Sequence, residues 1–418
     1  MKALLLACAL LLLTGAGPAA ALENSILLGM NYPLTGPYSV EGLDQIRAAR
    51  LAVDEINAAG GIMGRRAVLV PRDSASDTLR TKLNVRELIE AGCSMVFGGA
   101  SSAVAIAAAE VCHKYQTPFF GTLTYSTETT LERGHRVVFR ECNDSWMSAQ
   151  VMAGWLNQNF ANRRFVYVTA DYTWGWTTEE SLRRVTDTRD RERHQGFLTP
   201  LGTTDFTGVL QQVAAEPPEV LVLALFGKDL AYALRQAHDM GLKEHCQIVV
   251  PNLTLGMAER AGAEAMAGVV GTLPWTWTVP SLFNYPRGQA FVDAFVRRYH
   301  RYPSTSGASA YTIVYEYKAA VERARSFRTA DVVKALEGHT YILLKDAQTW
   351  RALDHQSVQT VYMVRGNDME TVLADPLRLN FFSVIERKAG TEIVRSPEEW
   401  MHLRAQAGLP PHLEALEE

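Results

Sequence analysis

The sequence lacks the motifs that most soluble catalysts carry. No H-E-x-x-H, P-loop or G-x-S-x-G occurs, which removes the usual zinc-peptidase, phosphate-cradling and nucleophile-elbow chemistries. Ten histidines are scattered, and His113, His135, His194, His238 and His245 show no ligand spacing. Neither a metal nor a cofactor is expected. Charge of one sign is also missing: 41 Lys and Arg stand against 45 Asp and Glu, a net charge of −4. With no basic stripe there is no electrostatic footprint for nucleic acid. Cysteine is scarce, five in 418 residues and none in CxxC spacing, so zinc-ribbon and thioredoxin-like sites lack their ligands. Past the first residues no run approaches the roughly 20 apolar residues that span a bilayer.

The N-terminus has a clear pattern. Lys2 gives a positive start, Ala3 to Leu13 is apolar, and Thr14 to Ala21 is small and helix-poor. This is the three-part layout of a secretory signal peptide over residues 1–21, cleaved after Ala21. The mature protein is therefore expected in the periplasm. Leu5-Leu6-Ala7-Cys8 imitates a lipid-attachment site, but the residues before Cys8 are too few for an apolar region. Export permits disulfides. Cys93 opens a strand and Cys112 lies near the end of the next helix, which brings both to one end of a sheet. A Cys93–Cys112 bridge and two buried thiols are both open on this reading.

The mature chain alternates apolar runs with helical periodicity. Strands read at Ser25–Asn31, Ala67–Pro71, Ser94–Gly98 and Pro118–Gly121, separated by helices over Leu43–Ala59, Thr78–Ala91 and Ser102–Tyr115. The pattern restarts with strands at Arg164–Thr169, Phe197–Leu198, Val220–Leu225 and Gln247–Val250. Such alternation indicates parallel sheets covered by helices. The fold class is α/β, two doubly wound lobes joined by several hinge crossovers around a cleft. Residues 23–140 and 270–345 are assigned to lobe 1, 141–269 and 346–395 to lobe 2, and 396–418 to a C-terminal tail. Strands near Thr340–Leu344 and Thr360–Arg365 are expected to complete these two sheets rather than form a third. Ligands of open parallel sheets bind outside the carboxyl ends of the strands. Asp73 and Asp77 flank a strand-to-helix loop and read as caps. Asp354-His355-Gln356 reads as a structural turn or an interlobe contact.

Several motifs resemble one family. Pro33-Leu34-Thr35-Gly36-Pro37-Tyr38, then Gly42, then Ile56-Asn57-Ala58-Ala59-Gly60-Gly61-Ile62-Met63-Gly64 look like the start of the leucine/isoleucine/valine-binding proteins. These are type I periplasmic solute receptors of ABC importers. Gly98-Gly99-Ala100-Ser101-Ser102, Pro118 to Thr127, Ala170-Asp171-Tyr172-Thr173-Trp174-Gly175, Thr204-Asp205-Phe206 and Gln236-Ala237 to Gly241-Leu242 follow in the family's order. The resemblance covers most of residues 25–365. It implies a receptor, not an enzyme, that closes on a small solute and meets a membrane permease, as a monomer and without cofactor.

It also implies a ligand set. Ser101 or Ser102 starts a helix where hydroxyls and free amides suit a carboxylate, although serine caps occur without ligands. Thr122, Leu123, Thr124 and Tyr125 follow a strand end and offer polar groups to the ligand's head. Trp174, with neighbours Tyr172 and Trp176, falls where the family places an aromatic from the second lobe. Phe226 and Asn252 follow further second-lobe strands. The family often has an acidic residue near Asn252 to meet an ammonium; here Asn supplies no countercharge. Glu41, in the first loop, or Asp171 could supply it. An amino acid, an amide, an aromatic carboxylate and a quaternary ammonium are all compatible, and a sensory module reporting occupancy to a signalling partner would use the same fold. A secreted hydrolase would need a histidine within reach of Ser102.

Overall fold

The computed structural model describes residues 24–416; the expected leader over residues 1–21, with Cys8, lies outside them. Strands β1 (Ser25–Tyr32), β2 (Arg66–Asp73), β3 (Cys93–Gly98), β4 (Phe119–Gly121) and β5 (Val138–Arg140) form a parallel sheet in the order β2-β1-β3-β4-β5. A second sheet contains β6 (Phe165–Ala170), β7 (Gly196–Thr199), β8 (Val220–Ala224), β9 (Gln247–Val250), β10 (Val270–Leu273), β14 (Val361–Gly366) and β15 (Phe382–Lys388), in the order β15-β14-β10-β9-β8-β6-β7. Strands β6 to β10 run parallel, and β14 and β15 add antiparallel to that edge. Every residue of β6 and of β8 is buried. That continuous burial is what a parallel sheet covered on both faces demands.

Helices Ser39–Ala58, Thr78–Glu90, Ser102–Lys114 and Thr305–Ala324 cover the first sheet. Helices Ser145–Phe160, Thr173–Thr186, Gly227–Asp239 and Leu255–Ala261 belong to the second lobe. Asp77 caps the helix after it through Arg80 N at 2.6 Å, a contact worth about 1 kcal/mol. Asp73 does more than cap. Its carboxylate accepts from Leu34 N, Thr35 N and Ala75 N at 2.8–3.2 Å and so fixes the Pro33–Pro37 loop at the mouth of the cleft.

The structure corrects several sequence expectations. Strand β10 opens at Val270 inside the second sheet, whereas the sequence pattern places residue 270 in lobe 1. The apolar run alone does not state which sheet edge it joins. A third sheet does exist: β11 (Thr340–Tyr341), β12 (Gln348–Trp350) and β13 (Ser357–Val358) pair with one another. The Cys93–Cys112 bridge is not formed. Cys93, Cys112, Cys142 and Cys246 are free and buried, and the first two sit in one apolar cluster with Val85, Leu88 and Phe119. Strand and helix do bring them together, and burial pushes their thiols up, Cys93 to about 11, so they pack as small hydrophobes. The C-terminal residues are structured as β15 and a helix over Pro397–Gln406.

Candidate functional site

Each candidate residue follows the carboxyl end of a parallel strand or lies on the helix that begins there, so the two sheets present their functional edges to each other. After β3, Gly98 and Gly99 adopt φ of 125° and 94°, a turn that side chains with a Cβ rarely enter. Ser101 then occupies the N-cap position of the next helix but makes no side-chain capping bond. Its hydroxyl is not explained by capping. Ser102 Oγ accepts from Ser126 N at 3.0 Å. Thr122 Oγ1 and Gln45 Nε2 both donate to Gly99 O. Thr124 Oγ1 bonds Thr129 Oγ1 at 2.7 Å, and Leu123 is packed in the core. Tyr125 is buried, and its hydroxyl has no hydrogen-bond partner.

The second lobe supplies rings. Trp174 is 1% exposed and donates Nε1 to Asn252 Oδ1 at 3.3 Å, while Asn252 Nδ2 donates to Ser148 Oγ at 2.9 Å. Phe226 stands at the centre, with ring centroids 5.7 Å from Trp174, 6.0 Å from Tyr125 and 5.5 Å from Tyr38. Tyr172 packs 6.1 Å from Trp174. Trp176 instead stays half exposed and donates to Asp171 Oδ1 at 3.0 Å. Asp171 therefore faces the surface and is not the cleft's countercharge.

Rings and hydroxyls of the two lobes meet on one interface. Ser126 Oγ, next to Ser102, bonds Thr173 Oγ1 at 2.9 Å across it. Two second-lobe glycines fit against the first lobe without room for a side chain. A Cβ on Gly227 would lie 2.5 Å from the Tyr38 ring, and one on Gly256 2.4 Å from Val40 Cγ1. The lobes are closed on each other.

Glu41 lies in the first turn of helix Ser39–Ala58, not in the loop. It is 2% exposed; Oε1 accepts from Thr254 Oγ1 of the second lobe at 2.6 Å, and Oε2 has no hydrogen-bond partner. Burial pushes its carboxyl up to about 7. Burial likewise raises Glu316 to about 7 and Asp229 to about 6. A folded-state value above the unfolded one means the folded protein holds the proton more tightly. Stability then falls as pH rises from about 4.5 to 7, by about 3 kcal/mol for Glu41. Glu41→Gln should flatten part of that fall. Melting curves at pH 5 and pH 8 check it, and an unchanged difference between those values would refute the assignment.

A small hollow of about 10 Å³, room for about one water, lies where the chain crosses between lobes, lined by Glu141, Trp275, Thr305, Ser309, Lys345 and Gln348 among others. Ser309 Oγ donates to Thr122 O at 3.1 Å, which sets the hollow against the Thr122 loop. Lys345 Nζ donates to Pro274 O, Gln359 Oε1 and Thr360 O at 2.6–2.7 Å, pinning the crossing segments. Arg140 is wholly buried and joins Gln356 Oε1, Thr130 Oγ1 and Asp144 Oδ2 with the carbonyls of Thr124 and Ser126. Gln356 also donates to Cys142 O, so the Asp354–Gln356 triplet is a contact between crossing segments. Sequence reasoning missed Tyr38, Gln45, Ser126 and Thr254. The strand-end rule could have flagged Ser126; Gln45 and Thr254 carried no local signal.

The family described as periplasmic binding protein matches residues 25–370. The Leu/Ile/Val-binding protein BraC3 of Rhizobium johnstonii is 26% identical over 313 residues, 74% of this chain and 82% of that protein. A periplasmic binding protein from Burkholderia mallei has the same fold, with TM-score 0.82 at 19% identity, covering 90% of this chain and 98% of that one. A solute binding protein of an ABC transporter from Rhodopseudomonas palustris, in complex with 3,4-dihydroxy benzoic acid, gives TM-score 0.78 at 16% identity, covering 90% and 99%.

Proposed function

Because the chain belongs to the periplasmic binding protein family, we propose that it is the extracytoplasmic receptor of an ABC importer, closing its lobes on a small polar solute and presenting it to the membrane permease. The observation that carries this reading is the meeting of both strand-end sets on one interface, with Ser102, Tyr125 and Glu41 on one side and Trp174, Phe226 and Asn252 on the other. Lobe closure of this kind gains its free energy from contacts that exist only in the closed state.

The solute is a small amino acid, amide or aromatic carboxylate. Buried polar atoms without partners cost about 1–3 kcal/mol each. Glu41 Oε2 and Gln45 Oε1 are two such acceptors, and Tyr125 Oη can donate or accept. Two acceptors favour a solute that carries N–H groups, an amino acid or amide. The Rhodopseudomonas palustris protein's bound 3,4-dihydroxy benzoic acid keeps the aromatic carboxylates in the set.

A thermal-shift screen over amino acids, amides, aromatic acids and quaternary amines tests the proposal. A saturating solute should raise Tm by several degrees through mass action, and small-angle scattering should then show a more compact particle. A panel with no shift, or a hit that leaves the scattering unchanged, would sink the receptor reading.

A further inference from the structure

Away from the cleft, three residues far apart in sequence converge on the outer side of the first lobe. His113 ends the helix Ser102–Lys114, His135 precedes β5, and Glu414 lies in the C-terminal segment. His113 Nδ1 is 3.0 Å and His135 Nδ1 3.3 Å from the same Glu414 oxygen, Oε1. We propose that His113, His135 and Glu414 form a site for a zinc-class divalent cation that fastens the C-terminal segment to the first lobe.

The spacing fits the ion. A tetrahedral zinc with bonds near 2.0–2.2 Å holds its ligand atoms about 3.3 Å apart. The two imidazole–carboxylate separations already match such edges, and the three ligand atoms all lie within 4.8 Å of one another. The chemistry fits as well. Two imidazoles with one carboxylate suit zinc, whereas calcium and magnesium require oxygen ligands throughout. The imidazole rings stack with centroids 3.9 Å apart and planes within 12°.

The carboxylate is prepared. Arg136 N donates to Glu414 Oε1 at 3.0 Å and fixes the carboxylate against the two imidazoles. A backbone donor that orients a ligating carboxylate is the usual support for such a ligand. The Arg136 guanidinium is occupied by Glu337 at 2.8 Å. The three side chains are 35%, 26% and 34% exposed, so an ion enters from solvent and water completes its coordination. Neighbouring contacts already place the segment there. Leu413 packs with Leu131 and Trp400, and Arg404 Nε donates to Pro410 O at 2.7 Å.

The test uses untagged mature protein, stripped with a chelator and titrated calorimetrically with zinc chloride. One zinc per chain and a rise in Tm of several degrees are expected. The His113→Gln/His135→Gln double variant should lose the binding. Glu414→Gln, close in shape, should weaken zinc at least tenfold with an unchanged far-UV circular dichroism spectrum. His412→Gln, two residues from Glu414, should bind as the parent does. A parent that takes up no zinc, a double variant that binds as the parent does, or a Glu414→Gln loss smaller than tenfold overturns the proposal.

Discussion

Replacing Gly256 by leucine should weaken solute binding roughly 10- to 100-fold while leaving the second lobe intact. Gly256 sits in the helix Leu255–Ala261 with no positive φ, so the backbone accepts any side chain. Within the helix a glycine is the weaker choice, by about 0.8–1 kcal/mol relative to good helix formers. The lobe itself therefore gains or stays level. The clash arises only across the interface, where even a Cβ would lie 2.4 Å from Val40 Cγ1 and 3.0 Å from Glu41 Oε1. Overpacking costs about 1–3 kcal/mol, and each 1.4 kcal/mol is about tenfold in affinity. Gly227 would be a poorer test, because its φ of 63° strains any replacement within its own lobe. Calorimetric titration with the solute from the thermal screen, beside a melting curve of the free protein, separates the two effects. Unchanged affinity would mean that closure does not bring these helices together in solution.

Arg140→Met should lower Tm by roughly 10 °C. The guanidinium is fully buried at the end of β5 and serves five acceptors on the 124–130 loop, Asp144 and Gln356. Methionine fills much of the volume but donates nothing. Asp144 is then left as a buried charge without its partner, although it still caps the next helix through Met147 N at 2.7 Å. Breaking a buried ion pair from one side costs about 3–5 kcal/mol, and each kcal/mol shifts Tm by about 2–4 °C in lobes of this size. Lysine should not rescue the loss, because one ammonium cannot reproduce the planar fork that reaches acceptors on separate segments. Scanning calorimetry decides the matter; a drop of only two or three degrees would show that the crossing segments are held by Lys345 instead.

Much of the architecture is legible in the amino-acid sequence. The restart of the strand–helix alternation near Arg164 marked a second sheet, and strand ends marked Ser102, Trp174 and Phe226 as edge residues. These are local properties, set by apolar periodicity and by glycines at turns. Other features were not visible. Glu41 looked like a loop carboxylate because its partner Thr254 lies 213 residues away. Asp171 looked like a candidate countercharge until Trp176, five residues on, was seen to hold it at the surface. The histidines looked scattered, and His113, His135 and Glu414 become neighbours only when the C-terminal segment folds back on the first lobe.

The sequence by itself determined the two alternating α/β units and the loops that carry polar and aromatic residues past strand ends. Each is written within a few tens of residues, at the range where hydrophobic period and turn chemistry act. Only the tertiary structure decided which sheet received Val270–Leu273, that Cys93 and Cys112 meet as unbonded thiols, that Gly227 and Gly256 let the lobes touch, and that Arg140 and Lys345 tie the crossings. Those outcomes depend on distant surfaces meeting with matched shape and paired charge, and one strand's composition is compatible with more than one such meeting.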